Sequence, residues 1–255
     1  MPEYIDCHAH INFPDYDSDR SEVIERTLSQ NTWMVNVGTS NKTSKEVVDL
    51  ANKYSNGVYA IVGSHPTEEG FNKSEIMELA KDPKVVAIGE TGLDYFRDGS
   101  LEAQRDIFES QIEIANEIGK PLMLHIRGSS GSMDAYEDTI CILKEKAKVS
   151  GNAHFFAGTV DVAKKFLEIG FSISFTGVIT FTKDYDEVIK YVPVESILSE
   201  TDCPFVAPNP FRGKRNEPLY VKEVVSRLAE IKGLELEEVQ TILVENALRL
   251  FSIDK

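Results

Sequence analysis

The chain has 255 residues, with 42 acidic against 27 basic side chains, a formal net charge of −15, and 42% apolar and 9% aromatic residues. That composition excludes a disordered, collagenous or coiled-coil chain, and the acidic balance argues against non-specific duplex binding through a broad basic face while leaving room for a local anion site. No window reaches the roughly 18 apolar residues of a membrane span, and Met1-Pro2-Glu3-Tyr4 lacks the basic and apolar regions of a signal peptide. The expectation is therefore a cytoplasmic protein with no membrane partner, its oligomeric state left open with a monomer among the possibilities.

Short apolar runs alternate along the chain with longer amphipathic ones. The runs read as strands are 4–8, 33–38, 58–63, 85–90, 121–125, 152–155, 171–174 and 197–200, rich in Val, Ile and Phe and often closed by Gly or a polar residue. Between them lie helix-period stretches, of which Leu101–Ile118 is the clearest, and Gly119 followed by Lys120-Pro121 stops it. A final apolar helix, Leu236–Phe251, is expected to pack outside the sheet or to close its bottom. Strand ends recur at intervals of roughly 19 to 35 residues, near the length of a βαβ unit. Eight such units across residues 1–255 predict one (β/α)8 TIM-barrel domain of the α/β class. A doubly wound sheet would bring a Gly-rich loop after its first strand, where this chain reads Asp6-Cys7-His8-Ala9-His10.

The five histidines, His8, His10, His65, His125 and His154, all fall at or just after proposed strand ends, with Glu90 closing strand 4 and Asp202 following strand 8. Barrel enzymes place catalytic groups at those ends. Residues two apart on a strand share a face, so Asp6, His8 and His10 are expected to point to the axis, with Cys7 and Ala9 pointing out. Imidazoles with carboxylates suit Zn, Mn, Fe, Co or Ni more naturally than Mg. Six ligands exceed the needs of one catalytic zinc, and two divalent ions fit better. Cys7, Cys141 and Cys203 are expected to be small buried hydrophobes rather than a disulfide framework.

The segment 209–217 carries Arg212, Lys214 and Arg215 against Glu217, a cationic loop in an acidic chain, and Arg127 follows His125. Loops after strands 7 and 8 are a recurrent phosphate site in barrels. These residues predict a phosphorylated substrate. Phe155, Phe156, Phe181, Phe205 and Phe211 are read mainly as core, some being candidates for stacking on bases. Glu68 and Glu69 are read as a solvated face.

These segments resemble the TatD-like deoxyribonucleases. The resemblance rests on Asp6–His10, Gly63–Pro66, Val86–Tyr95, Pro121–Arg127, His154–Gly158, Glu200–Pro204, Phe211–Pro218 and Glu245–Phe251, in order along the chain. It implies a metal-dependent hydrolase with exonuclease activity on DNA. By the same resemblance, one metal takes His8, His10, Glu90 and Asp202, the second takes Glu90, His125 and His154, and Glu90 bridges them. His65 and Arg127 would hold or polarise the scissile phosphate, with Arg215 as a further substrate contact. Phosphodiester hydrolysis by a metal-activated hydroxide follows, with Asp202 as general base and single-stranded or frayed DNA ends as substrate. Two departures stand out: residues 128–133 form an insertion expected to lie over the site, and Phe155 replaces a Cys, a change expected to repack the core. The alternative is a small-molecule amidohydrolase or phosphoesterase on the same barrel, although strand 4 ends in Glu90 rather than a lysine.

Overall fold

A computed structural model describes residues 1–97 and 99–254, so Asp98 and Lys255 of the expected domain lie outside the described residues. The strands are β1 (Tyr4–Ala9), β2 (Thr32–Val37), β3 (Val58–Val62), β4 (Val85–Asp94), β5 (Leu122–Arg127), β6 (Gly151–Ala153), β7 (Ser172–Phe175) and β8 (Ile197–Ser199). They form one eight-stranded sheet in sequential order, every pairing parallel. A parallel bridge from Ala9 to Cys203 joins the two edges, so the sheet closes into the expected TIM barrel.

Helices cover the outside: α1 (Arg20–Ser29), α2 (Asn41–Ala51), α3 (Lys73–Leu79), α4 (Leu101–Ile118), α5 (Asp134–Lys146), α6 (Val160–Glu168), α7 (Asp186–Tyr191), α8 (Val221–Lys232) and α9 (Leu236–Phe251). Local chemistry sets several ends. The Ser100 hydroxyl accepts from Ala103 N at the start of α4, and Gly119 ends that helix at φ 74°, a conformation glycine adopts without a Cβ penalty.

Two apolar layers result. Outward strand residues such as Met34, Ala60, Val62, Ile88, Leu124 and Ile173 pack under the helices. Inward residues Ile5, Cys7, Val35, Val37, Ile61, Met123 and Leu198 fill the barrel interior, and Val244, Ala247, Leu248 and Phe251 of α9 join them from below. Helix α9 takes both of the placements expected for it: Val239 and Leu243 pack in the outer layer, and its second half closes the barrel floor.

Four expectations need correction. Cys7 faces the interior, not outward: Ile5 and Cys7, two apart on the strand, share the inward face, and the β1–β2 register shift before Ala9 then lets His8 and His10 reach the site as well. Asp6 accordingly turns to the end of β8, where its carboxylate accepts from Thr201 N at 2.8 Å and Thr201 Oγ1 at 2.6 Å. Cys141 is exposed, whereas Cys7 and Cys203 are buried. Strand β4 also runs four residues beyond its expected end at Glu90. Gly92 permits this: a Cβ there would lie 2.1 Å from the His125 carbonyl oxygen.

Phe251 is 3% exposed in the floor of the barrel. Phe251→Ala is expected to destabilise the fold by about 3–5 kcal/mol, read as a lowered urea midpoint with an unchanged m-value. An unchanged midpoint would mean that α9 does not seal the interior.

Candidate metal centre

The ends of β1, β4, β5, β6 and β8 bring six side chains together. Burial is nearly complete for His8 (0%), Glu90 (4%) and Asp202 (8%). Each oxygen of Glu90 faces a different histidine pair. Oε2 lies 3.6 Å from His8 Nε2 and 3.8 Å from His10 Nε2. Oε1 lies 2.8 Å from His125 Nδ1 and 2.9 Å from His154 Nε2. Asp202 Oδ1 completes the first group at 3.5 Å from His10 Nε2 and 3.8 Å from His8 Nε2.

Tautomers can be argued from the outer partners. His10 Nδ1 lies 3.0 Å from the Val37 carbonyl, which can only accept, so Nδ1 carries the hydrogen and Nε2 presents a lone pair. That lone pair faces His8 Nε2 at 3.1 Å and the Asp202 carboxylate. On the other side, His125 Nε2 donates to Asp94 Oδ2 at 3.1 Å, so Nδ1 points its lone pair at Glu90 and, at 3.4 Å, at His154 Nε2. Acceptors converging on acceptors in a buried site fit a bound cation, and the donor set suits a divalent transition metal.

Without an ion, positive charge on the rings takes the place of the cation. Burial opposes charge on Glu90, yet His154, His125 and His8 outweigh it and hold the carboxyl well below its usual range. Burial likewise opposes charge on His154, but Glu90 and Glu200 raise its pKa well above the ordinary value. Groups of ligand atoms lie within 4.8 Å of one another in three sets: His8, His154 and Asp202; His8, His10 and Glu90; and His65, Glu90 and His125.

The sequence profile of the TatD related DNase family matches residues 5–252. This chain belongs to that family. A relative described as an uncharacterized metal-dependent hydrolase, YabD of Bacillus subtilis, is 42% identical over 261 residues, covering 98% of this chain and 99% of its own length. YcfH of Escherichia coli K12, with the same description, is 34% identical, covering 98% and 96%. Among solved structures, YJJV, a TatD homolog from E. coli K12, superposes with a TM-score of 0.87 at 28% identity, covering 99% of each chain. The chain is thus a metal-dependent hydrolase of the TatD family.

Within this TatD-family barrel a cavity of about 550 Å³ opens above these six side chains, lined among others by His65, Glu68, Arg97, Arg127, Phe155 and Phe205. His65 Nδ1 accepts from Thr67 N at 3.2 Å, which leaves its hydrogen on Nε2. Burial, together with the neighbouring His125, lowers its pKa to about 3. His65 is therefore a neutral ring with a hydrogen-bond donor, and that tautomer argues against its service as a ligand through Nε2. Arg127 lies over the Phe96 ring at 3.7 Å.

Arg215 does not join them. Its guanidinium makes a forked pair with Asp19, 2.7 Å to each oxygen, and also reaches Glu217 at 3.2 Å. Residues 128–133 do not line the cavity. They fold back on Asp134, whose carboxylate accepts from Ser129 N at 3.0 Å. Phe155 lines the cavity instead of repacking the core, and so does Glu68. Phe156 is core at 1% exposure, whereas Phe205 and Phe181 are exposed. Phe211 stacks on Tyr220.

Four further residues escaped sequence reasoning. Asp94 orients His125, as above. Glu200 Oε1 lies 3.5 Å from His154 Nδ1 and accepts from Phe155 N at 2.6 Å. At 3.5 Å the contact with the ring is an ion-pair approach rather than a well-formed hydrogen bond. Arg97 lines the cavity, its Nε 3.7 Å from Asp94 Oδ2. Asn216 donates through Nδ2 to the carbonyls of Thr201 (2.9 Å) and Phe205 (2.6 Å), pinning the loop that carries Asp202. The signal for Asp94 and Glu200 was present, since charged residues at strand ends are rarely idle in this fold.

Two predictions follow from these contacts. Asn216→Ala leaves two carbonyls without their donor and is expected to destabilise the fold by about 1–3 kcal/mol in urea titration. A change under about half a kcal/mol would mean that the loop is held elsewhere. Burial opposes ionisation of Asp94, but His125 and the N–H groups of Arg97 and Phe96 outweigh it and hold the carboxyl at about 2. Its folded-state pKa lies below the unfolded value of about 3.9, so the stabilisation is present above pH 4 and fades as the pH falls towards 2. In metal-free protein, Asp94→Asn should flatten the acid limb of a stability-against-pH series over that window. Parallel curves would remove Asp94 from the linkage.

Proposed function

We propose that this chain is a divalent-metal-dependent phosphodiesterase of the deoxyribonuclease type, acting in the cytoplasm on single-stranded or frayed DNA ends. The observation that carries this reading is Glu90, whose two oxygens face two separate histidine pairs beneath a cavity walled by His65, Arg97 and Arg127. His8, His10, Glu90 and Asp202 would hold one ion, and Glu90, His125 and His154 a second. Bound divalent cations lower the pKa of a water and neutralise charge on phosphoryl oxygens.

The chain's own residues do the rest. Asp202 is held ionised: burial resists this, but His10 and His8 lower its pKa below the ordinary carboxylate value. It is placed to take the proton of the attacking water as the new P–O bond forms and the scissile P–O bond breaks. The His65 Nε2–H donates to a phosphoryl oxygen, and the Arg97 and Arg127 guanidinium groups balance its charge. Asp94 and Glu200 hold His125 and His154 in register. The −15 surface repels nucleic acid at large, so productive approach is confined to this mouth.

Asp202→Asn is expected to lower kcat on end-labelled single-stranded DNA about 100-fold or more, and chelation should abolish hydrolysis until Mn or Zn is returned. Full activity of the variant would remove Asp202 as the base. Digestion of RNA and of a panel of amides and lactones in parallel tests the substrate class. Turnover of the amides or lactones with DNA untouched would assign the barrel to small-molecule hydrolysis. Arg127→Ala should raise KM for the oligonucleotide, whereas Arg215→Ala should lower thermal stability with KM unchanged. The reverse pattern would restore Arg215 as a substrate contact.

A further inference from the structure

The walls of the cavity differ in character. Arg97, Arg127 and His65 supply hydrogen-bond donors from the ends of β3, β4 and β5, while Phe13, Phe155, Phe205 and Val206 supply apolar surface from the loops after β1, β6 and β8. Phe205 is 50% exposed, three residues beyond Asp202. Of the other two phenyl rings in the lining, Phe13 stacks on His10 at 15°, and Phe155, which meets His154 edge-on at 76°, is only partly exposed. Beyond the lining, Arg127 lies over Phe96 at 3.7 Å and Arg212 over Phe181 at 3.9 Å. Phe205 instead meets its ring neighbours His10 and Phe13 at 64° and 73°, so neither lies parallel to it.

Its backbone is fixed. Phe205 N donates to Asp202 O at 3.0 Å, its carbonyl accepts from the fully buried Asn216, and Asn216 N donates to Pro204 O at 3.1 Å. Val206 follows at φ 50°, a region that a β-branched residue occupies only when its surroundings impose it. A half-exposed phenyl ring on a pinned loop, in the cavity of a metal hydrolase, is surface kept for a ligand rather than for the core.

We infer that Phe205 is the stacking platform for the unpaired nucleobase next to the scissile phosphodiester, and so a specificity-determining residue for single strands. The inference rests on the nuclease reading above. With the phosphate between the metal ligands and the arginine wall, the opposite wall is left for the base of the same nucleotide. Stacking tolerates any base but requires it to be out of a duplex, which selects frayed and single-stranded ends. Asn216 acts here as a positioning residue, since one side chain ties the Asp202 and Phe205 segments together.

The test uses full-length, metal-loaded protein and single-stranded oligonucleotides with an intact, an abasic or a 2-aminopurine nucleotide at one terminus, made in both polarities. For the wild type, loss of the terminal base at the cleaved end should raise KM about tenfold with kcat little changed, and 2-aminopurine emission should be quenched on binding. Phe205→Ala should bring the ratio of abasic to intact KM to about one and abolish the quenching, and Phe205→Trp should keep both. A wild-type ratio near one, or a tenfold ratio that survives Phe205→Ala, overturns this inference while the nuclease reading stands. A wild type that neither binds nor cleaves any oligonucleotide overturns both.

Discussion

The structure depends on one electrostatic constraint: lone pairs of four imidazoles and the oxygens of two carboxylates converge in a pocket from which water is largely excluded. His8 and His10 are 0% and 3% exposed, and their Nε2 atoms lie 3.1 Å apart. Without a cation such a cluster is repulsive and poorly solvated. The partners around it set the ring orientations in advance. Val37 O, Asp94 and the Thr67 amide each fix which nitrogen carries hydrogen. Site geometry in this TatD-family protein therefore belongs to the barrel, not to the metal alone.

That rigidity comes from contacts far apart in sequence. Arg215 and Glu217, near the end of the β8–α8 connection, grip Asp19 and Arg26 in the β1–α1 region. Tyr16, buried beneath Arg215, donates to Asn216 O at 2.5 Å. The late basic motif thus directs part of its charge inward, to hold two loops together, rather than outward to substrate. An arginine's planar fork suits a carboxylate as well as a phosphate, so residue type alone could not distinguish the two uses.

The match between expected and observed elements was close where periodicity was strong. Leu101–Ile118 and Leu236–Phe251 appear with the bounds read from the sequence. Departures arose where local irregularity decides direction. Cys7 shares the inward phase of Ile5, a register shift before Ala9 brings His8 and His10 to the site, and Gly92 lets β4 extend to Asp94 against the His125 backbone. Neither a bulge nor a close backbone approach leaves a periodic trace. Phe155 and Phe205 likewise looked like core residues, because hydrophobicity says nothing of which side of a loop a ring will occupy.

From the amino-acid order alone came the alternation of strands and helices, the barrel, and the histidines and acids at strand ends, because burial imposes a period on each element and the ends of barrel strands share one face. Only the tertiary structure decided which oxygen of Glu90 meets which histidine, that Asp94, Glu200 and Asn216 support the site, and that Arg215 is bound by acids of its own chain. Those outcomes are set by distances between loops that the chain brings together on closing the barrel, and no linear spacing encodes them.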